Sequence, residues 1–312
     1  MNNKKEFQRD AFIKKIYNAS RKNKNIFFLS ADFGAPALDD FRFKLSRQFL
    51  HLGICEQNMI DFACGMALEG KKVFAYAMAP FLSLRCLEQH KTATCLMNLD
   101  VTSIVTGIGL SYANSGPTHY STEDFACLRA LPNCYIFTAS DPLSAAEIAK
   151  KTLSLNKPKF IRLDRKASQN FKLKIEKKDI DRGFRYLIKS SSNRLLLLGH
   201  GTILERAINA INQLSPKIRK NISLIDLIQS KPFPKQLQSQ IKKFKNIITI
   251  DEQTKPGGLG SLIRENNPRL TYLKEMCLSD EFIFENLGRD KLLDKYGLSI
   301  NLIKKNIQKI YK

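Results

Sequence analysis

Short apolar runs of strand length alternate with helix-length stretches along most of this chain. That alternation narrows the fold more than any other feature. Residues 26–29, 72–77, 101–106, 135–138 and 160–163 read as strands. Helical stretches lie between and before them: 7–19, with Phe7, Ala11, Phe12, Ile16 and Ala19 on one stripe; 58–68, where Ala63, Gly65 and Ala67 permit close packing; 81–98; and 142–155. Buried strands separated by helices imply a mainly parallel sheet covered on both faces. Between residues 165 and 181 the apolar periodicity fades and Lys, Asp, Gln and Ser take over. The pattern then restarts, with strands at 195–198, 223–227 and 247–251, helices at 203–214 and 234–244, and a closing helix at 298–311. The expected fold class is α/β, with two domains of this kind. Residues 1–166 form the first, 167–182 a linker and 183–312 the second.

The 51 Lys and Arg against 29 Asp and Glu leave a net charge of +22. Such a balance favours anionic partners: phosphorylated metabolites, nucleic acid, an acidic surface or an acidic protein. The basic residues are spread throughout, with no RNP motif, helix-turn-helix signal or basic–aromatic alternation, which weighs against nucleic acid. Apolar runs fall far short of the roughly 20 residues of a membrane span. The opening Met1-Asn2-Asn3-Lys4-Lys5-Glu6 lacks the apolar core of a signal peptide. Seven scattered cysteines without a Cys-x-x-Cys pair fit a reducing cytoplasm. Four histidines far apart in sequence, His51, His90, His119 and His200, offer no metal-ligand spacing, so no metal site is expected on this chain.

Four segments carry candidate chemistry. Gly53-Ile54-Cys55-Glu56-Gln57-Asn58-Met59 places a carboxylate at a helix start, where it is either a helix-dipole partner or a functional acid. Tyr112-Ala113-Asn114-Ser115-Gly116-Pro117-Thr118-His119 follows a strand, as a loop recognising phosphate or hydroxyl groups does, and as an ordinary turn also does. Gly257-Gly258-Leu259-Gly260 precedes a helix without the spacing of a dinucleotide fingerprint, and close strand–helix packing accounts for it. Phe160-Ile161-Arg162-Leu163-Asp164-Arg165 ends a strand with two arginines, which either fork a phosphate or are linker charges.

The order of the pieces is more specific than any one of them. The Glu56 segment, then Arg85-Cys86-Leu87-Glu88-Gln89, Ser115-Gly116-Pro117-Thr118-His119, Glu123-Asp124 and Arg129-Ala130-Leu131-Pro132-Asn133 closely resembles the carboxyl-terminal half of transketolases. The 1-deoxyxylulose-5-phosphate synthases share much of this pattern. Later markers are Glu252, Gly257-Gly258-Leu259-Gly260 and Lys295-Tyr296-Gly297-Leu298. The resemblance implies a thiamine diphosphate pyrimidine-binding domain followed by a transketolase-type carboxyl-terminal domain. The Gly-Asp-Gly…Asn motif that holds the diphosphate and Mg2+ in full-length relatives is not in this sequence. The expected arrangement is therefore a split enzyme: an amino-terminal partner subunit supplies the Mg2+ ligands, the cofactor lies between the two chains, and a homodimer contact builds a heterotetramer.

What the resemblance implies can be carried over residue by residue. Glu56 matches the catalytic glutamate, whose carboxyl group, bonded to the far ring nitrogen of the aminopyrimidine, promotes its imino tautomer. Phe81 is the expected ring to stack on that pyrimidine, and Asp32 matches an aspartate at the edge of the cofactor site. Arg9 and Arg165 match arginines that grip a sugar phosphate, and His119 a catalytic-site histidine near the substrate. The sequence also departs from the family. Asn114-Ser115 replace a usual Glu-Asp, and Gly107 stands where His or Arg is common. These positions touch sugar hydroxyls, so donor and acceptor stay open. The expected activity is two-carbon ketol transfer between phosphorylated sugars. A deoxyxylulose-phosphate-synthase-like or 2-oxoacid dehydrogenase β-type subunit is the enzymatic alternative, and a basic nucleic-acid-binding protein the non-enzymatic one.

Overall fold

The computed structural model describes residues 5–171 and 175–311. The first four residues of the amino-terminal segment read above, and residues 172–174 of the expected linker, lie outside them. Twelve strands are described: β1 Ile26–Ala31, β2 Phe49–Gly53, β3 Lys72–Met78, β4 Val101–Thr106, β5 Tyr135–Thr138, β6 Lys159–Leu163, β7 Phe184–Ile188, β8 Leu195–Gly199, β9 Ile222–Leu227, β10 Gln229–Lys231, β11 Asn246–Thr254 and β12 Leu273–Leu278. They form two sheets, in the orders β10-β5-β6-β4-β3-β1-β2 and β12-β11-β8-β9-β7. All pairings are parallel except β10 on β5 and β7 on β9, each at a sheet edge. The expected α/β class with two mainly parallel sheets is what the chain adopts.

The first sheet is buried on both faces, and its side chains alternate between two cores. Phe28, Phe74, Tyr76, Ile104 and Ile161 meet Phe12, Ile13 and Ile16 of the helix Gln8–Ser20, and Ala145 and Ile148 of the helix Pro142–Ser154. On the other face Leu29, Val73, Ala75, Val101 and Val105 meet Met59, Ile60 and Ala63 of the helix Glu56–Leu68. The helix Pro142–Ser154 starts cleanly. Asp141 Oδ1 accepts a bond from Ser144 N at 2.7 Å, Ser144 Oγ accepts one from Asp141 N at 3.0 Å, and Pro142 opens the first turn.

Several elements differ from the sequence expectation, for physical reasons. The stretch 81–98 is not one helix. A short helix Ala79–Ser83 ends where Arg85 N–H bonds back to Pro80 O, and a helical turn at Leu87–Gln89 passes into a π-type turn at His90–Cys95. β2 is half-buried at an edge and lacks a continuous apolar run. β10 has no apolar residue at all, yet it leaves the second half of the chain to pair with β5. The polar stretch expected as linker contains a helix, Lys177–Arg182, capped by Glu176 and ended by Gly183 at φ 81°. Among the described residues, no helix is long and apolar enough to cross a membrane.

Buried charges brace each sheet and, through Arg185, join the two. Arg162 on β6 forks Asp124 at 2.8 and 2.9 Å and donates to Thr138 Oγ1 at 3.1 Å. Arg185 on β7 bridges Asp141 at 3.0 Å and Asp226 at 2.9 Å. Asp251, at the end of the run expected as a strand over 247–251, caps the helix Leu259–Asn266 by accepting from Leu259 N at 2.9 Å. Its burial pushes the carboxyl up to about 7. Between the unfolded value near 4 and about 7 the native state therefore holds a proton that the unfolded chain does not. Stability from this group grows as pH falls through that window and is lost as pH rises through 7. Asp251→Asn should remove roughly 2 kcal/mol of the stability difference between pH 5 and pH 8. Denaturant midpoints of both proteins at the two pH values measure it, and equal pH dependence would refute the assignment.

Candidate active site

Parallel strands put their carboxyl ends on one edge, and the crevice outside that edge is where such sheets bind ligands. Asp32 follows β1, Glu56 follows β2, Phe81 and Arg85 follow β3, and the 107–123 segment follows β4. Arg165 follows β6. Arg9 arrives there because its helix runs antiparallel to the strands. Gln8 Oε1 accepts from Asp164 N at 2.8 Å, and Glu6 and Ser168 exchange backbone bonds of 3.0 Å. Those ties bring Arg9 to the same corner as Arg165.

Glu56 opens its helix and is 5% exposed. Its Oε2 accepts from Arg85 Nη1 at 2.7 Å. The Arg85 guanidinium carbon also lies 4.2 Å from the Phe81 ring centre. Phe81 and His119 meet in a T-shaped contact, with centroids 5.4 Å apart, and His119 is 6.3 Å from the Tyr112 ring. Arg165 covers Tyr112, 4.5 Å from its centroid. Glu56, Phe81, His119 and Arg165 thus belong to one continuous rim of charge and aromatic surface, linked through Arg85 and Tyr112. Thr118 Oγ1 lies 2.9 Å from His119 Nδ1 and orients that ring.

Asp32 shares the edge but not the rim. Its backbone N–H bonds to Gly53 O at 3.1 Å, and its exposed carboxylate faces His51 Nε2 at 3.8 Å. Arg162 does not reach the rim, because Asp124 holds it in the core. Gly260 is a packing glycine: a Cβ there would sit 2.4 Å from the Glu275 side chain.

Beneath the segment after β4, side chains from both domains form one buried network. Asp164, fully buried, accepts from Arg289 Nη1 at 2.9 Å, from Ser111 Oγ at 3.1 Å and from the Thr202 hydroxyl. Burial alone would raise this carboxyl, but Arg289 and Thr202 hold it below its ordinary value. Arg289 also forks Glu252 at 2.7 and 3.0 Å. This network fixes the base of the segment that carries Tyr112 and His119.

Sequence reasoning singled out Arg85 only as part of a pattern and gave it no role. A signal was present: Phe81 and Arg85 are four apart, and an arginine beside an aromatic ring near a lone acid is a candidate partner for that acid.

Two family models account for most of the chain. The transketolase pyrimidine-binding domain matches residues 8–170, and the transketolase C-terminal domain matches residues 185–303. The chain belongs to the transketolase family. Among transketolase-family relatives, one of the subunits of the apulose-4-phosphate transketolase of Phocaeicola vulgatus is 27% identical, over 82% of this chain and 82% of that one. The 1-deoxy-D-xylulose-5-phosphate synthase of Syntrophomonas wolfei is 28% identical over 89% of this chain, but only 43% of the synthase is covered. The chain therefore spans less than half of that relative. A solved structure described as a split gene transketolase, inactive beta4 tetramer, superposes with a TM-score of 0.84 at 25% identity, over 97% of this chain and 98% of that one. Transketolases are transferases that depend on thiamine diphosphate, and the fold described above is the one that family uses on the pyrimidine side.

Proposed function

We propose that this chain is the carboxyl-terminal subunit of a split transketolase that moves a two-carbon ketol unit between phosphorylated sugars in the cytoplasm. Residues 1–166 serve as its pyrimidine-binding domain, and 183–312, joined through 167–182, as a scaffold for assembly. The observation that carries the reading is the sequestered Glu56 carboxylate beside the half-buried Phe81 ring at the crevice edge. A planar aminopyrimidine needs an acid at its ring nitrogen and an aromatic face to lie on. The Arg85 guanidinium, also planar and bearing N–H donors, already makes both kinds of contact, bonding to Glu56 and lying over Phe81.

Thiamine diphosphate, when bound, supplies a nucleophilic carbon that accepts and passes on the ketol fragment. This chain's residues do the rest of what falls on its side. Glu56 holds or releases a proton at the pyrimidine ring nitrogen. Phe81 fixes the ring plane, and Asp32 borders the site. His119 hydrogen-bonds substrate oxygens. Arg9 and Arg165 neutralise the substrate phosphate. The Mg2+ and diphosphate ligands are assigned to the amino-terminal partner, and a second copy of this chain completes a heterotetramer. The similarity over nearly full length to one subunit of a transketolase and to a split gene transketolase supports that division.

The test is reconstitution. Mixed with an amino-terminal transketolase half that carries the Gly-Asp-Gly…Asn motif, thiamine diphosphate and Mg2+, this chain should catalyse ketol transfer, and neither half should do so alone. A solitary chain that binds the cofactor tightly and turns over would refute the split.

A further inference from the structure

One phenol oxygen in the corner of Arg9 and Arg165, Tyr112 Oη, is buried and has no hydrogen-bond partner among the described residues, while the nearby Tyr76 phenol interacts with Arg9. Tyr76 stands on β3 and Tyr112 on the segment after β4. Burial raises both phenols, and the positive charge of Arg9 opposes that rise in each. Arg165 opposes it in Tyr112 as well, which comes to rest at about 12. The two guanidiniums and two phenols therefore share one corner. Arg9 Nε is bonded to Asp10 at 2.9 Å, and its guanidinium also interacts with the Tyr76 phenol in that corner. Four donor side chains, one of them with an idle hydroxyl, match an anion that offers several oxygens.

Gly107 shows how Tyr112 comes to stand there. Its φ is +94°, and a Cβ on it would lie 2.0 Å from Tyr112 Cε2. The Tyr112 ring fills the volume that any side chain at 107 would take. A residue-107 side chain and Tyr112 are thus mutually exclusive occupants of one place beside Arg165.

We propose that Tyr112 is a specificity-determining residue of this chain, whose hydroxyl donates to the terminal phosphoryl oxygens of the sugar substrate from the volume left open at Gly107. The inference rests on the reading of Arg9 and Arg165 as phosphate ligands and deepens it. Tyr76 lies deeper and steadies Arg9 as a positioning residue. A hydroxyl shielded from bulk water gains more from an anionic acceptor than an exposed one does, so Tyr112 selects for a phosphorylated end over a bare hydroxymethyl end.

Calorimetric titration of the full chain with inorganic phosphate tests this, on wild type, Tyr112→Phe and Arg165→Ala. Phenylalanine keeps the ring over Gly107 and beneath Arg165, and an unchanged near-ultraviolet circular dichroism spectrum verifies the fold. Tyr112→Phe should weaken phosphate binding about tenfold, the scale of one lost charge-assisted hydrogen bond, and Arg165→Ala at least as much. Weakening in Arg165→Ala alone overturns the role of Tyr112 and leaves the arginine reading standing. Equal binding by all three proteins, or none by wild type, overturns both. In the reconstituted complex Tyr112→Phe should raise KM for a phosphorylated ketose about tenfold. A fall in kcat at constant KM also overturns the proposal.

Discussion

Glu56→Gln is expected to leave the protein folded and to lower reconstituted ketol transfer by about three orders of magnitude. The amide has the shape of the carboxylate, and its oxygen can still accept from Arg85 Nη1, now 2.7 Å from Glu56 Oε2. Local packing should survive, with a melting temperature within about 3 °C of wild type, the shift that less than 1 kcal/mol produces. The lost property is proton exchange, because an amide neither carries the negative charge nor passes a proton to a ring nitrogen. Steady-state rates at saturating thiamine diphosphate, Mg2+ and partner subunit measure the loss. Activity within a few-fold of wild type would remove Glu56 from the chemistry. Arg85→Ala should lie between the two, since it frees the carboxylate without deleting it.

Arg162→Met should be the most destabilising of the changes considered, by about 3–5 kcal/mol. Arg162 is 1% exposed and its partner Asp124 is 0% exposed, so removing the cation strands a carboxylate out of reach of water. Arg162 also donates to Thr138 Oγ1 on the neighbouring β5. The double change Arg162→Met with Asp124→Leu should recover most of the loss, because a buried ion pair exchanged for apolar groups of similar volume is often near neutral. Guanidinium midpoints for the single and double variants give the comparison. A single variant within 1 kcal/mol of wild type would show that Asp124 finds another partner.

How legible these features are in the sequence depends on whether their cause is local. Residues 101–106 and 135–138 read as strands and coincide with β4 and β5, since both are rich in the β-branched and aromatic residues that favour strands. β2 and β10 are not visible in this way. Their residues are half-buried or polar, and what makes them strands is the sheet edge they join, a tertiary fact. The break at Ser83 is similar: 81–98 has helical composition, and the departure from the helix depends on how Pro80 and Arg85 are seated.

The candidate site shows the same division. No spacing connects residues 9, 56, 81, 119 and 165, and only the family pattern named them together. The strand order then brings their loops to one edge. Arg85 lay within a recognised motif but had no assigned chemistry. Tyr112 opened the glycine-rich segment without notice, because its significance depends on the missing side chain at Gly107, and that contact exists only in three dimensions.

The edge pairing of β10 with β5 has a practical corollary for anyone dissecting this molecule. Those three residues come from beyond the second sheet's β9, so a fragment cut near residue 170 would keep Tyr135–Thr138 but lose the strand that shields it. Its bare amides and carbonyls would then be free to recruit another chain. That edge pairing adds to the Arg185–Asp141 and Arg289–Asp164 ties between the two modules, which are best expressed, mutated and purified as one piece.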